Sequence, residues 1–423
     1  MKKVLFILGD FWPTHSGGTI RIAKLIKYLP EYNWEGVVLS RKLDDMKDFE
    51  IINGTTIYRT NAFDLPKYYQ KLKKNRKTTV KKITVEVGQT IESTNNRLAD
   101  NFFVPDVNIF WAIGAFFRLR KIIKKENINV LYSSSPLASS HIVVLLYRKF
   151  FSKSVKWIVE FRDPWTFNPF ISKKPYLLNK LDHFLEKMVI KSSDSIIVTS
   201  EEYKEEFLKK YSFLDTNKIR YIPNGFDAED FEGLHKSSNN EKITIVHTGN
   251  FYGKRSLKPF LEALTIIKEE YPQYKKSLKF VQYGTIDPEG ALYNLNFPNS
   301  FVEIIDNIPH RESLQQTINA DWLLLVPGPG NGTMPGKLYE YLATGNPIIA
   351  LADEGPAKKI INDLNIGYVT NTFDITKIKN ILVEIILAKS NFKTESLINA
   401  KISKFERKNI ANQVSEVLNS NLS

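Results

Sequence analysis

Short apolar runs, separated by segments of helix length, recur along the whole chain. They read KVLFILG, NVLYSSS, VKWIVEF, SIIVTS, KIRYIP, KITIVHTG, LKFVQYG, WLLLVPG and PIIALAD. Strands that alternate with amphipathic helices favour parallel sheets built from βαβ units. The segments starting at Lys2 and at Glu241 each read as a strand, a glycine-bearing loop and a helix, the opening unit of a doubly wound domain. We therefore predict an α/β fold of two doubly wound, Rossmann-like domains that face a central cleft.

The length of the chain and one polar segment indicate the domain boundaries. The 423 residues exceed the size at which single hydrophobic cores stop growing, which favours two domains. Residues 222–227, IPNGFD, form a Pro/Asn/Gly turn and lead into a polar stretch, so we predict the hinge there. The predicted domains are 1–225 and 226–405, and we expect a C-terminal helix, 406–423, to return to the N-terminal domain.

The charged and metal-binding residue types narrow the function classes. The net charge of +13 favours anionic partners such as nucleotides or phospholipid surfaces. No aromatic-interleaved recognition motif is present, so we expect no nucleic-acid partner. The absence of cysteine excludes disulfides, Cys-ligated zinc and thiol catalysis, and favours a cytoplasmic location. Without an Asp-x-Asp pair or a His-x-x-x-His spacing, we also predict no metal and no cofactor.

The apolar and basic stretches predict at most a peripheral contact with a membrane. The N-terminal MKKVLFILGDFW has no small-residue cleavage site and reads as a buried strand, and the run VNIFWAIGAFF is too short to span a bilayer. Residues 66–82 hold eight Lys/Arg and no acid, and residues 116–125, FFRLRKIIKK, are also basic. These two stretches could bind an anionic membrane surface, or they could be solvated faces.

Two glycine-bearing loops follow the first strands of the two predicted domains. In the first loop, Gly17 and Gly18 lack a Cβ, so a phosphate can approach the backbone at a helix N-terminus; the alternative is a simple turn. In the second loop, Gly249 precedes Lys254 and Arg255, a pair of cations that suits a diphosphate. The alternative for this pair is two solvated surface cations.

The segment GTMPGKLYEYLATGNP, residues 332–347, predicts a short helix with one polar face. Pro335 suits the first helical position, and Gly345 with Pro347 marks the helix end. Glu340 on the polar face can accept two hydroxyl hydrogen bonds, such as those of a ribose. The alternative is a local pair of Glu340 with Lys337, worth only about 0.3 kcal/mol.

Charged residues also end the strand WIVEF. Glu160, Arg162 and Asp163 lie at or just beyond its carboxyl end, where an open parallel sheet binds ligands. The alternative is an internal structural network between Arg162 and Asp163.

Taken in order, these segments resemble the family 4 glycosyltransferases of the two-domain GT-B type over nearly the whole chain. The resemblance implies a retaining sugar transfer from a nucleotide-diphosphate sugar, with an acceptor-binding N-terminal domain and a nucleotide-sugar-binding C-terminal domain. It implies ribose binding by Glu340, phosphate contacts at the helix start formed by the backbone around Met334 to Lys337, and a diphosphate clamp formed by Lys254 or Arg255. Where the family has the first glutamate of its motif, this sequence has Gly332. Where many members have a histidine after the WIVEF strand, it has Arg162 and Asp163.

The predicted site residues follow from these segments and from the resemblance. The catalytic candidates are Arg162, Asp163, Lys254 and Arg255. The donor-binding candidates are Gly17, Gly18, Gly249, Lys254, Arg255, Thr333, Met334, Pro335, Gly336, Lys337 and Glu340. We expect a hexosyltransferase that acts on a lipid-linked or polysaccharide acceptor in bacterial envelope assembly, at the inner face of the plasma membrane. The alternatives are a sugar-nucleotide epimerase or hydrolase of the same fold, and a non-catalytic nucleotide-sugar binding module.

Overall fold

The computed structural model describes most of the chain. The described residues are 1–14, 17–43, 46–61, 103–168, 174–237, 242–251, 255–286, 298, 301–328, 334–388 and 401–422. Lys254, Thr333 and the basic stretch 66–82 lie outside them. The chain divides into two compact units, an N-terminal unit of Met1–Val198, Phe207–Arg220 and Val414–Ser423, and a C-terminal unit of Thr199–Glu206 and Tyr221–Gln413.

An eight-stranded sheet organises the N-terminal unit. Its strands are β1 Lys2–Leu8, β2 Trp34–Lys42, β3 Phe49–Ile52, β4 Thr55–Asn61, β5 Val130–Ser134, β6 Lys156–Phe161, β7 Ser195–Val198 and β8 Ile219–Tyr221. Their order is β3-β4-β2-β1-β5-β6-β7-β8. β3 is antiparallel to β4, and the pairs from β4 through to β7 are parallel. Residues 4–7 of β1 are fully buried, as expected for a central strand covered on both faces.

A six-stranded parallel sheet organises the C-terminal unit. Its strands are β9 Ile243–Thr248, β10 Leu278–Tyr283, β11 Val302–Ile305, β12 Trp322–Leu325, β13 Ile348–Leu351 and β14 Gly367–Thr370. The order is β11-β10-β9-β12-β13-β14, so the winding direction of the chain reverses between β9 and β12. An open sheet of this order binds ligands beyond the carboxyl ends of the strands at that reversal point.

The described residues form eleven α-helices. They are α1 Gly17–Tyr28, α2 Ile109–Glu126, α3 Ser139–Phe150, α4 Tyr176–Ser192, α5 Glu201–Lys210, α6 Lys258–Glu270, α7 His310–Asn319, α8 Gly336–Thr344, α9 Pro356–Leu364, α10 Ile375–Ala388 and α11 Arg407–Ser420. Within the described part of the chain, no helix is both long and apolar enough to cross a membrane.

Helices pack on both faces of the C-terminal sheet because its strands are apolar on both sides. Ile245 of β9 belongs to a core cluster that includes residues of α6 and α10. Its neighbour Val246 belongs to a second cluster with residues of α8 and α9, on the opposite face. The predicted α/β class, with two doubly wound parallel-dominated sheets, is confirmed, and all nine apolar runs quoted above contain a strand.

Candidate active site

The reversal point of the C-terminal sheet brings two predicted site segments together. The loop after β9 carries Gly249 and Arg255, and the loop after β12 carries Pro327. Arg255 Nε donates a hydrogen bond to the Pro327 carbonyl at 2.9 Å, which ties the two loops to each other. Arg255 therefore lies at the edge of the sheet where a ligand is expected.

Helix α8 begins at the same edge of the sheet. Pro335 precedes its first residue, Gly336, and Gly345 ends it in the left-handed conformation at φ 72°. The hydroxyl of Tyr341 accepts a hydrogen bond from the backbone N–H of Thr248 at 3.0 Å, so the helix is fixed to the carboxyl end of β9. A side-chain Cβ at Gly336 would meet no atom within 4 Å, which leaves open space at the helix start.

Glu340 of α8 has two cationic or polar neighbours. Its Oε1 accepts from His310 Nε2 at 3.2 Å, and its Oε2 accepts from Lys337 Nζ at 2.8 Å. Burial would raise the pKa of Glu340, but the His310 hydrogen bond and the Lys337 charge outweigh it and lower the pKa to about 2. The side chain keeps 23% of its surface exposed. Glu340 is thus an ionised, partly exposed acceptor, and each carboxylate oxygen retains a lone pair that can accept a further hydrogen bond.

A buried histidine lies near the carboxyl end of β9. His247, near the end of β9, has its Nδ1 at 2.6 Å from Gln282 Oε1, and its ring packs at 4.6 Å from that of Phe251. Burial lowers the pKa of His247 to about 4; the Gln282 hydrogen bond opposes this shift, and the charges of Lys337 and Arg255 add to it. This imidazole is therefore neutral at pH 7.

In the N-terminal unit, Gly18 and Arg162 lie in contact. A Cβ added to Gly18 would lie 1.8 Å from Arg162 Nη1, whereas one added to Gly17 would meet nothing within 4 Å. The Arg162 backbone N–H donates to Ser135 Oγ at 3.0 Å. Gly18 thus allows the guanidinium of Arg162 to pack directly against the first turn of α1.

Glu160 and Asp163 differ in their surroundings. Glu160 is fully buried and pairs with Arg21 Nε of α1 at 2.9 Å, and its other oxygen accepts from Ser134 Oγ at 2.6 Å. Burial would raise its pKa, but Arg21 and these hydrogen bonds lower it below the ordinary value. Asp163 is 43% exposed and lies 3.7 Å from Arg162. Glu160 therefore stabilises the fold, and Asp163 remains accessible at the end of β6.

The comparisons with known proteins show the family and the fold of the chain. Residues 15–230, just over half of the chain, match the model of Glycosyltransferase Family 4. The chain belongs to this family. No curated protein sequence matches this glycosyltransferase significantly.

Solved structures match the glycosyltransferase over its whole length at low sequence identity. One is an E. coli structure reported as trehalose-6-phosphate bound with UDP-2-fluoro glucose, at TM-score 0.68 and 12% identity, covering 99% of each chain. Another is the lipopolysaccharide outer core galactosyltransferase WaaB in its apo form, at 0.62 and 14%, covering 99% of this chain and 100% of that one. An S. aureus MnaA–UDP co-structure matches at 0.54 and 12%, covering 100% and 98%. These likenesses establish the GT-B fold.

The predicted site residues of the glycosyltransferase fall into two groups. Gly17, Gly18, Arg162 and Asp163 lie in the N-terminal unit, and Gly249, Arg255, Met334, Pro335, Gly336, Lys337 and Glu340 lie in the C-terminal unit. The sequence analysis missed His310 and the pairing of His247 with Gln282. His310 is the first residue of α7 and directly follows Pro309, and this position at a helix start could have marked it as a candidate site residue.

An exposed surface of the N-terminal unit joins aromatic and basic side chains. Phe116 of α2 contacts Phe117, Phe150 and Phe151, and Phe117 also lines a cavity of about 740 Å³ together with three cations. Phe117 and Phe150 are 65% and 64% exposed. We call this set the aromatic–basic surface: Phe116, Phe117, Arg118, Lys121, Lys125, Phe150 and Phe151. Within the described residues, His, Cys, Asp and Glu side chains form no group of three that could hold a metal ion.

Proposed function

We propose that this glycosyltransferase is a retaining hexosyltransferase that uses a nucleotide-diphosphate sugar as donor. The observation that carries the proposal is the position of Glu340 on α8, beside the loops that Arg255 joins. An ionised carboxylate can accept both vicinal hydroxyls of a ribose. Arg255, together with Lys254 and the N-terminus of α8, would hold the diphosphate.

The proposed reaction needs no general base from the protein. The bond between the anomeric carbon and the diphosphate oxygen breaks, and the acceptor oxygen bonds that carbon on the same face. The acceptor proton passes to the leaving diphosphate. Arg255 and Lys254 would stabilise the charge that develops on this leaving group, as fixed charges do in other enzymes. The sequence has no Asp-x-Asp pair that could hold a divalent metal, and Arg255 and Lys254 would neutralise the leaving diphosphate instead. We therefore propose metal-independent transfer.

A uridine nucleotide is the first donor to test. Two of the structural neighbours were solved with UDP or with UDP-2-fluoro glucose. A thermal-shift screen of UDP, GDP, ADP and CDP would find the base, because a true donor-site ligand stabilises the folded protein by RT ln(1 + [L]/Kd). We expect one base to give a clear shift at millimolar concentration. The absence of a shift with all four would contradict a nucleotide-sugar site.

Substitution of Glu340 tests its role directly. Glu340→Gln removes the charge and should weaken binding of the selected nucleoside diphosphate by about 10- to 100-fold, since a hydrogen bond to a charged group contributes roughly 1.5–3 kcal/mol. Glu270→Gln is the matched control, because Glu270 is 51% exposed and its partner Lys379 lies on α10. Equal affinities in the two variants would exclude ribose binding by Glu340.

We propose a lipid-linked or polysaccharide acceptor, in bacterial envelope assembly at the inner face of the plasma membrane. The aromatic–basic surface supports this location, because exposed aromatic rings insert at a membrane interface and each nearby cation adds about 1 kcal/mol at an anionic leaflet. Transfer of radiolabelled sugar to isoprenoid-linked glycans would identify the acceptor. Conversion of the donor without any acceptor would instead indicate an epimerase or a hydrolase.

A further inference from the structure

The hydrogen bonds of Gln282 fix the proton position on His247. The two residues face each other on the paired strands β9 and β10. Gln282 Nε2 donates to the carbonyls of Gly249 and Gly284, at 2.7 Å and 3.3 Å. Its Oε1 must therefore be the atom that faces His247 Nδ1, and it accepts the Nδ1 proton. In the neutral imidazole this leaves Nε2 with a lone pair.

Among the residues that the structure describes, none donates a hydrogen bond to the lone pair of His247 Nε2. His247 is only 8% exposed, and among the described residues its one hydrogen bond is the bond to Gln282. Since no described donor contacts Nε2, a ligand group that supplies one would gain a hydrogen bond there. The low pKa of this histidine, about 4, keeps Nε2 an acceptor at neutral pH.

The chemistry of the surroundings limits what that ligand group can be. His247 lies near the carboxyl end of β9, and its ring is 3.8 Å from the position of a Cβ on Gly249, in the loop that also carries Arg255. Diphosphate oxygens carry no proton at neutral pH and would repel a lone pair. The ribose hydroxyls are assigned to Glu340, and the base lies beyond the ribose. On the nucleotide sugar itself, the remaining donor groups beside the diphosphate belong to the sugar, and they are chiefly its hydroxyls.

We propose that His247 Nε2 accepts a hydrogen bond from a hydroxyl group of the transferred sugar and thereby contributes to the selection of the donor. This proposal rests on the proposed function, because it needs a nucleotide sugar in the site. Gln282 acts as a positioning residue, since it holds the imidazole in the tautomer that accepts. Phe251 supports the ring from one side.

The test compares a nucleotide with its sugar derivative. His247→Phe keeps a ring against Phe251 and removes the acceptor. We measure, by calorimetry, binding of UDP and of whichever donor among UDP-glucose, UDP-galactose and UDP-N-acetylglucosamine gives the largest thermal shift. We expect His247→Phe to bind UDP within about twofold of the unsubstituted protein and to bind the sugar nucleotide about tenfold more weakly. His183→Phe, on α4 of the other unit, is the matched control and should change neither affinity.

A second measurement covers the case in which His247→Phe does not fold. Donor analogues that each lack one sugar hydroxyl are titrated into the unsubstituted protein, and one of them should bind about tenfold more weakly than the parent donor. If none does, the proposal is overturned. Equal losses for UDP and for the sugar nucleotide in His247→Phe would also overturn it. The proposed function fails separately, if the unsubstituted protein binds no nucleoside diphosphate or if Glu340→Gln leaves that binding unchanged.

Discussion

Two glutamates, Glu160 and Glu340, show how surroundings decide what a single side chain does. Glu160 belongs to a strand that ends at the ligand-binding edge of a parallel sheet, and Glu340 belongs to a helix that begins at such an edge. Glu160 is fully buried and paired with Arg21, so its charge serves to hold α1 against β6. Glu340 keeps an exposed face and ionises readily. The sequence alone does not distinguish the two glutamates. Whether a carboxylate is buried, and which cation it pairs with, depends on segments far away in the chain.

The contact between Gly18 and Arg162 predicts opposite outcomes for two neighbouring glycines. Both lie in the first turn of α1. Gly17→Ala adds a methyl group into open space and should stabilise the protein by about 0.4–1 kcal/mol, by restricting the unfolded chain. Gly18→Ala would collide with the Arg162 guanidinium, which must move, so that gain should be cancelled or reversed. Thermal unfolding of the two variants measures the difference, and equal stabilisation in both would contradict the packing described here.

The buried His141 predicts a loss of stability in acid. It is fully buried, it is hydrogen-bonded to Ser133, and burial lowers its pKa to about 3, with Glu160 opposing that shift. The unfolded chain protonates near pH 6.5, so below that pH it binds a proton that the folded protein excludes, and stability falls toward pH 3. Between pH 7 and pH 5 this histidine should lower the free energy of unfolding by about 2 kcal/mol.

The substitution His141→Gln isolates that contribution. Other titrating groups act equally in both proteins. Between pH 7 and pH 5, the free energy of unfolding in urea should therefore fall by about 2 kcal/mol more for the unsubstituted protein than for His141→Gln. Parallel stability curves for the two proteins would show that His141 titrates normally in the folded state.

At the scale of elements, the apolar periodicity predicted the central strands of the sheets better than the edge strands. The nine quoted runs all contain strands, but β2, β3, β4, β11 and β14 were not predicted. β3, β11 and β14 lie at or next to sheet edges, and their residues alternate weakly or are half-buried, which leaves little pattern to detect. β2 does carry a buried apolar run, residues 37–39, that the sequence could have shown.

The sequence also predicted the site segments, but not the contacts among them. It selected Arg255, Lys337 and Glu340 from loop chemistry and helix periodicity. His310 lies thirty residues before Glu340, and Gln282 lies thirty-five residues after His247. These pairs form only when the sheet brings separate βα units together, so no local pattern could predict them.

The hydrogen bond between Tyr341 and Thr248 predicts that the position of α8 depends on the hydroxyl group of Tyr341. Tyr341→Phe would leave the buried N–H of Thr248 without its acceptor, at a cost of about 1–3 kcal/mol. Because that bond fixes α8 to β9, nucleoside-diphosphate binding should weaken as well. Tyr368→Phe is the matched control, since it removes an exposed bond to Glu384 and should cost less than about 1 kcal/mol. Equal losses in urea-unfolding free energy would refute the anchoring role of Tyr341.

At the scale of the whole molecule, charge and exposed apolar surface act together. A net charge of +13 would draw the protein toward anionic surfaces from any direction, but it would give no orientation. In the proposed membrane contact the aromatic–basic surface would add direction, because the exposed ring of Phe117 lines the same cavity as Arg118, Lys121 and Lys125. The general attraction should disappear in high salt, whereas the apolar contribution should persist.

Vesicle binding separates these two contributions. We expect the protein to co-sediment with vesicles that contain phosphatidylglycerol, and to bind them less as salt rises from 0.1 to 0.5 M. Phe117→Ser should weaken binding at both salt concentrations, because about 1.5–3 kcal/mol of apolar burial is lost. Leu177→Ser removes a side chain that is 76% exposed on α4 and serves as the matched control, with no expected change. If both variants bind like the unsubstituted protein, the aromatic–basic surface does not contact the membrane, and charge alone accounts for the attraction.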